Sequence, residues 1–398
     1  MRRRPWIGIT IVLLLGAAVT LPAQAPAARP TLERLSDTEF WTLVTEASEL
    51  GGAFHSDNFT SNEPNFPTVA ARLASSGPHG GAYLGVGPEQ NFHYIAAMRP
   101  AIAILFDIRR QAVMQHLLYK ALFELSDTRD AFIARLFSVP VPGGISRRAS
   151  PEALWQKFAM TPGEDRARLT ANIADVERLL TDTHGFRLTD DDRQSLEYVY
   201  EAFFRFGPAI DYSGGVKGLT TANTNFAKLA AAVDADGVPR GFLGTDELYQ
   251  AVRSLEMRNL IVPVQADFGG PKAIRAVGDF LRTRGLRVSA FYISNVEQYL
   301  YNPRSPTAPG GQETNGGWRA FYDNLATLPA DAATVLLRVP VGPALVNGAP
   351  MMVRRTLPDG TVTTERRENV PFCPLGAFLE AVRAGKVTTQ GQATSCGK

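Results

Sequence analysis

Apolar and polar positions follow a repeating order of strand, turn and helix along the chain, and the clearest unit lies between residues 80 and 111. An apolar run, Ala82 to Leu84, stops at Gly85-Val86-Gly87-Pro88, and a second, Ala101 to Phe106, stops at Asp107. Between them Phe92, Ile95 and Ala96 share one face at helical spacing. Pro88 suits a first helical turn and Pro100 ends it, so the pattern predicts a helix from about Glu89 to Met98. Strand, glycine turn, helix and strand, closing on an acid 20 residues after Gly87, is the layout of a nucleotide-binding βαβ unit.

Upstream, Ser36-Asp37-Thr38-Glu39 has the spacing of a capping box ahead of Phe40, Trp41, Leu43 and Val44 and predicts a helix that stops at Gly51-Gly52. The polar run from His55 to Pro67 follows. It reads as a solvated loop, with a flap over a ligand as the alternative. After Asp107 the spacing turns helical for about a hundred residues, far more than a crossover between parallel strands needs, which predicts a helical insertion at about 112–206. A helix from the Thr245 cap then leads to a buried strand, Asn259 to Asp267. A helix over Pro271 to Arg284 and a strand over Leu286 to Ser294 repeat the unit, with Asn295 and Glu297 directly after it. Thr334 to Val339 is a further strand, and Met351 to Glu365 alternates as a hairpin around Pro358-Asp359-Gly360. The fold expected is α/β, Rossmann-like, a mostly parallel sheet with a helical insertion after the second strand.

The N-terminus changes the picture of where the protein works. Arg2, Arg3 and Arg4 precede the apolar run Ile7 to Leu21, and Ala23, Ala25 and Ala27 follow, the three regions of a secretory signal. Cleavage is expected after Ala27, because a cut after Ala25 would fall before the rigid ring of Pro26. The apolar run is shorter than the roughly 20 residues of a spanning helix, so no stable membrane span is expected after cleavage. Arg3-Arg4-Pro5-Trp6-Ile7 also loosely resembles a twin-arginine signal, which exports folded proteins. The expected layout is a signal peptide at 1–27, a linker at 28–35, the α/β domain at 36–345 and a C-terminal hairpin and tail at 346–398. The expected location is secreted or periplasmic. There Cys373 and Cys396, the two cysteines of the chain, are expected to pair.

With 398 residues, 45% hydrophobic and 20% charged, the chain can bury a large core. A formal net charge of +2, with no dense basic block beyond the N-terminus, gives no reason to expect nucleic acid as a partner. Loops for acyl-transferring serines, phosphate-binding lysines and helical zinc sites are missing, and the five histidines have no ligand spacing; His55 near Asp57 is the one pair worth testing for metal.

What remains is the rim. Ligands of parallel α/β sheets lie at the carboxyl ends of the strands, where Gly85, Gly87, Asp107, Asp267, Asn295 and Glu297 can converge. The glycines let backbone approach a ligand, and an acid accepts hydrogen bonds from ribose hydroxyls. Gln90 stands where the third glycine of the dinucleotide fingerprint would be, so a plain strand-to-helix turn is the other reading.

YLGVGPEQN, DIRRQ, ADFGGPKAIRAVGDFLR and FYISNVEQYL carry a family resemblance over about residues 58–340. In these motifs the chain resembles a family of exported bacterial proteins of uncharacterised activity, with a fold similar to class I S-adenosylmethionine-dependent methyltransferases. The resemblance implies that Gly85 and Gly87 face the amino-acid part of S-adenosylmethionine, Asp107 its ribose and Asp267 the transfer site. In a methyltransferase Asp267 or Glu297 is expected near the acceptor, and in a different enzyme that reuses the rim the two would form an acid/base pair. Tyr83 stands where methyltransferases carry an acid. The competing expectation is a non-catalytic exported module on the same scaffold that binds a small ligand or a protein.

Overall fold

The computed structural model describes residues 32–397 apart from 53, 55, 78–79, 162, 164, 213–223, 302–316, 339–344, 347–348, 351, 357–361 and 367–371. The signal and its cleavage point, His55 of the pair with Asp57, and the turn at Pro358-Asp359-Gly360 lie outside the described residues.

Five parallel strands form the centre: β1 (Ala82–Val86), β2 (Ile102–Asp107), β3 (Ile261–Gln265), β4 (Val288–Tyr292) and β5 (Val335–Leu337). Their order across the sheet is β5-β4-β1-β2-β3, and the short strand Phe372–Pro374 pairs antiparallel to β5 at one edge. One row of partners, Val262, Ile104, Leu84, Phe291 and Leu336, crosses all five parallel strands. Register therefore brings the carboxyl ends of β1 to β4 to one edge. β2 is buried along its whole length, as expected for a strand covered on both faces.

The helices begin where local chemistry says they should. Ser36 and Glu39 close a reciprocal capping box at Asp37–Glu46, and Thr245 accepts from the backbone of Leu248 at the head of Asp246–Glu256. The helix after the glycine turn runs Gln90–Met98 and ends on Arg99 in the left-handed region (φ +50°). Phe66–Ser76 is a helix that the polar run had hidden, with Pro67 in its first turn.

Between β2 and β3 the chain is helical, as expected: Arg110–Glu124, Arg129–Leu136, Pro151–Ala159, Arg166–Arg178 and Asp190–Phe206 precede the shorter Phe226–Ala230 and then Asp246–Glu256. These helices are continuous with the core. Phe92, from the helix after β1, packs at 5.4 Å on Phe123 and 5.3 Å on Phe242, and Phe123 packs at 4.6 Å on Phe132. Beyond β5 the strands Met352–Thr356 and Val362–Arg366 form the expected hairpin. Cys373 and Cys396 form the expected disulfide, which ties the C-terminal helix Gln390–Thr394 to the edge strand.

Candidate functional site

A cavity of about 300 Å³ opens where the carboxyl ends of β1 to β4 meet. Gly87 and Pro88 line it after β1, Asp107 and Ile108 at the end of β2, Asp267 and Phe268 after β3, and Ser294 and Asn295 after β4. Of the residues read as a rim, Gly87, Asp107, Asp267 and Asn295 are thus brought together.

Gly85 is not among the lining residues; it serves the turn from beneath. A Cβ there would lie 1.9 Å from Oδ1 of Asn91. Asn91 accepts from the Tyr83 hydroxyl at 2.9 Å, and its Nδ2 donates to the carbonyls of Val86, Gly87 and Pro88 at 2.8 to 3.0 Å. Tyr83 therefore orients the residue that shapes the bend. Gly87 has φ +83°, with no atom within 4 Å of the place a Cβ would take. That backbone conformation favours glycine. The Gly87 carbonyl is 2.9 Å from Nε2 of His116. Burial holds His116 down at about 4, so its ring is neutral at ordinary pH and Nε2 carries the donated hydrogen.

Asp107 lies on the cavity wall but is 6% exposed, with each oxygen already engaged. Oδ1 accepts from the backbone N–H of Arg109 at 2.9 Å and from its Nε at 3.0 Å, and Oδ2 accepts from Nη2 at 2.9 Å. Each carboxylate oxygen has a second lone pair, so Oδ2 can still accept from a ligand hydroxyl. Arg109 also reaches back to the polar run: its Nη1 donates to the carbonyls of Ser56, at 3.1 Å, and Asp57.

That run is not the solvated loop expected of it. Ser56, Thr60 and Ser61 are buried, and Asn58, Ser61, Asn62 and Glu63 line the cavity. Glu89 secures it from the other side, both carboxyl oxygens accepting from the Ser61 N–H at 3.0 and 3.1 Å. Burial is the main cause that pushes Glu89 up to about 8. The loop is thus roofed onto the sheet edge by a guanidinium and a carboxyl rather than by apolar packing alone.

Sequence reasoning missed Glu63. Its Oε1 accepts from Tyr292 at 2.5 Å and Ser294 at 2.6 Å, and its Oε2 from Nε2 of Gln90 at 3.1 Å. Gln90 is the residue in the third-glycine position, and its side chain explains why a glycine would not serve. Ser294 holds a left-handed backbone, φ +49°, beside the cavity; strain of this kind in a non-glycine residue gathers at ligand sites.

Glu297 lies elsewhere. It is 3% exposed and accepts from Arg338, Nε at 2.6 Å and Nη2 at 2.9 Å, and from the Tyr322 hydroxyl at 2.6 Å. It follows Asn295 by two residues at the start of the helix Val296–Tyr301, and two helical steps turn a side chain by about 200°. Of the two acids read as catalytic, Asp267 is the one on the cavity wall, its Oδ1 accepting from the Gly269 N–H at 2.9 Å. Among the described residues no group of His, Cys, Asp or Glu could hold a metal ion, and no helix is long and apolar enough to cross a membrane.

The domain of unknown function DUF7790 matches residues 58–139 and 215–346, together just over half of the chain. The chain belongs to that family. The two matched segments contain β1 to β5 and most of the cavity wall, and the gap between them falls on part of the helical insertion. No curated protein matches the chain.

Proposed function

We propose that the protein binds a nucleoside-type small molecule, S-adenosylmethionine or a related compound, in the cavity between Gly87 and Asp107, on a Rossmann-like scaffold of the class I methyltransferase kind. The observation that carries this reading is the position of the cavity. The strands run outward from β1 to β3 and then return to β4 and β5 on the other side, and doubly wound sheets hold their ligands where the order reverses. A glycine with open space above it and an acid at the end of the next strand sit at that point. About 300 Å³ falls within the range of small-molecule sites.

Binding is the primary property in this reading, and methyl transfer is the reaction the site would allow. Asp267 is the wall residue placed to face an acceptor, with Asn295 on the ligand side. A second reading, a binding module without catalysis, is favoured by Glu297, whose carboxylate is committed to Arg338. Work outside the cytoplasm is part of the proposal; it rests on the signal-like pattern of residues 1–27 and is supported by the disulfide.

Calorimetric titration of the mature protein with S-adenosylmethionine and with its demethylated product tests the reading. Asp107→Asn is the better control than alanine, because it keeps an acceptor facing Arg109. Binding that weakens by about tenfold in the variant is expected, the difference between a charged and a neutral acceptor. No heat from either compound at about 1 mM would remove the nucleoside from consideration.

A further inference from the structure

The two ends of the Cys373–Cys396 disulfide are unlike. Cys373 is fully buried on the edge strand, and Arg338 donates to its Sγ from Nη1 at 2.9 Å. Cys396 is half-buried and holds a left-handed backbone, φ +62°, a conformation that costs a residue with a side chain and that opening the bond would release. The asymmetry leaves Cys396 as the sulfur open to attack and Cys373 as the one that departs.

The guanidinium of Arg338 serves two acceptors at once. Its Nε and Nη2 hold the Glu297 carboxylate at 2.6 and 2.9 Å, and its Nη1 is turned to the sulfur. Around them stand the Tyr322 hydroxyl, which donates to Glu297 at 2.6 Å, the Tyr301 hydroxyl 3.3 Å beyond it, and Arg72 over the ring of Phe372, next to Cys373. A sulfur leaves faster as a thiolate when a cation stabilises it, and both cations here are guanidinium groups. Glu297 belongs to the helix Val296–Tyr301, which gives Val296, Tyr299 and Leu300 to the cavity wall and packs on Gln390–Thr394, the helix that the disulfide ties down.

We propose that Cys373–Cys396 is a redox-active disulfide that exchanges with dithiols, and that its state sets how firmly the helix Val296–Tyr301 is held against the cavity. A thiolate of the dithiol attacks Cys396 Sγ, and the sulfur–sulfur bond breaks with its electron pair on Cys373, which leaves as a thiolate beside Arg338. The second thiol of the reductant then attacks the mixed disulfide, releases Cys396 and closes the reductant into a cyclic disulfide. Two electrons have passed to the protein. Arg338 then faces two anions, Glu297 and Cys373, while Gln390–Thr394 has lost its tie. This goes beyond the nucleoside reading and does not rest on it.

The test equilibrates the protein with mixtures of reduced and oxidised dithiothreitol, traps free thiols with a maleimide and counts them by mass. Because Cys373 stays ionised in the product, reduction releases one proton, and the equilibrium constant is expected to rise about tenfold per pH unit between about pH 6 and 7.5. A constant that does not change with pH overturns the proposal, and this series needs no variant. Glu297→Gln leaves the thiolate as the one anion for Arg338 and should favour reduction by about tenfold, whereas Arg338→Met combined with Glu297→Gln removes both charges and should oppose it by a similar factor. Shifts of one sign in the two proteins, the mark of general loosening, overturn the role of Arg338. Hydrogen exchange over residues 296–301 reads the link to the cavity: about tenfold faster exchange on reduction is expected, and equal exchange in the two states overturns it.

Discussion

Asp107 and Arg109 hold each other side-on across a single intervening residue, Nε 3.0 Å from Oδ1 and Nη2 2.9 Å from Oδ2, both side chains more than nine-tenths buried. The same guanidinium anchors the loop through the carbonyls of Ser56 and Asp57, so the pair is both part of the cavity wall and the fastening of its roof. Removing one member of a buried pair strands the other. Arg109→Met is therefore expected to lose about 3 to 5 kcal/mol of stability. Urea denaturation measures it, and a loss below about 1 kcal/mol would show that water already reaches the pair.

Gly85 and Gly87 are expected to fail for different reasons. Alanine at 85 drives into Asn91 and the Tyr83 ring, a clash that overpacked sites resolve at about 1 to 3 kcal/mol, whereas alanine at 87 meets no atom and suffers only its left-handed φ. A double-mutant cycle separates them: the energies of Gly85→Ala and Asn91→Ala should be non-additive, and those of Gly87→Ala and Tyr83→Phe close to additive. Additive energies in the first cycle would mean that Asn91 moves aside freely.

Glu297→Gln should destabilise the fold by about 3 kcal/mol or more, because it leaves Arg338 buried without its charge partner. Ligand affinity, measured at a temperature where the variant is folded, should stay within about twofold of wild type. A larger fall would place Glu297 in the ligand's reach after all.

Reduction of Cys373–Cys396 should cost about 3 kcal/mol for a closure of 23 residues, read as a drop in melting temperature with reductant. The effect should extend to Arg338, whose Nη1 donates to Cys373 Sγ at 2.9 Å. Unchanged melting in dithiothreitol, with both thiols shown to be free by titration, would refute it.

Stability should fall as the medium becomes more alkaline between about pH 6.5 and 8, the window in which the buried glutamates act without opposition from the buried histidines. Glu89 and Glu256 are both pushed up to about 8, chiefly by burial, from an ordinary value of 4.5. In that window the folded protein keeps protons that the unfolded chain has released, so the stabilisation present below pH 4.5 is lost as pH rises through 8. Below about pH 6.5 an opposing effect sets in, because His93, at about 3, and His116, at about 4, are held neutral by burial and lose their stabilisation as pH falls from their ordinary value of 6.5. Glu89→Gln imitates the protonated side chain and should flatten part of the alkaline slope in denaturation series at pH 5 to 8.5. A slope identical to wild type would show that Glu89 is ionised in the folded state throughout.

Much of this fold was legible because strand and helix signals are local. The apolar runs ending at Gly85 and Asp107, the caps at Ser36 and Thr245 and the hairpin after Met351 were each read within a few residues of their positions. Gly87, Asp107, Asp267 and Asn295 were legible for the same reason: a residue just past a parallel strand is at the rim whatever the rest of the chain does. Phe372–Pro374 escaped notice because three residues, one of them proline, carry no periodicity.

The errors share a cause. Polar residues without periodicity look solvated, yet Ser56 and Phe59 to Ser61 are buried, where Arg109 donates to the Ser56 carbonyl and Glu89 accepts from the Ser61 N–H. Glu297 looked like a rim residue by its nearness to Asn295, but half a helical turn and the distant Arg338 take it into the core.

From its order of residues alone, the chain determined that parallel strands would end on glycine, aspartate and asparagine, since backbone sterics and side-chain alternation act over a few positions. Only the tertiary structure decided which carboxylates share one cavity. Setting Glu63 beside Tyr292, 229 residues away, or sealing Glu297 against Arg338, 41 residues away, depends on groups distant in the chain meeting where water is largely excluded.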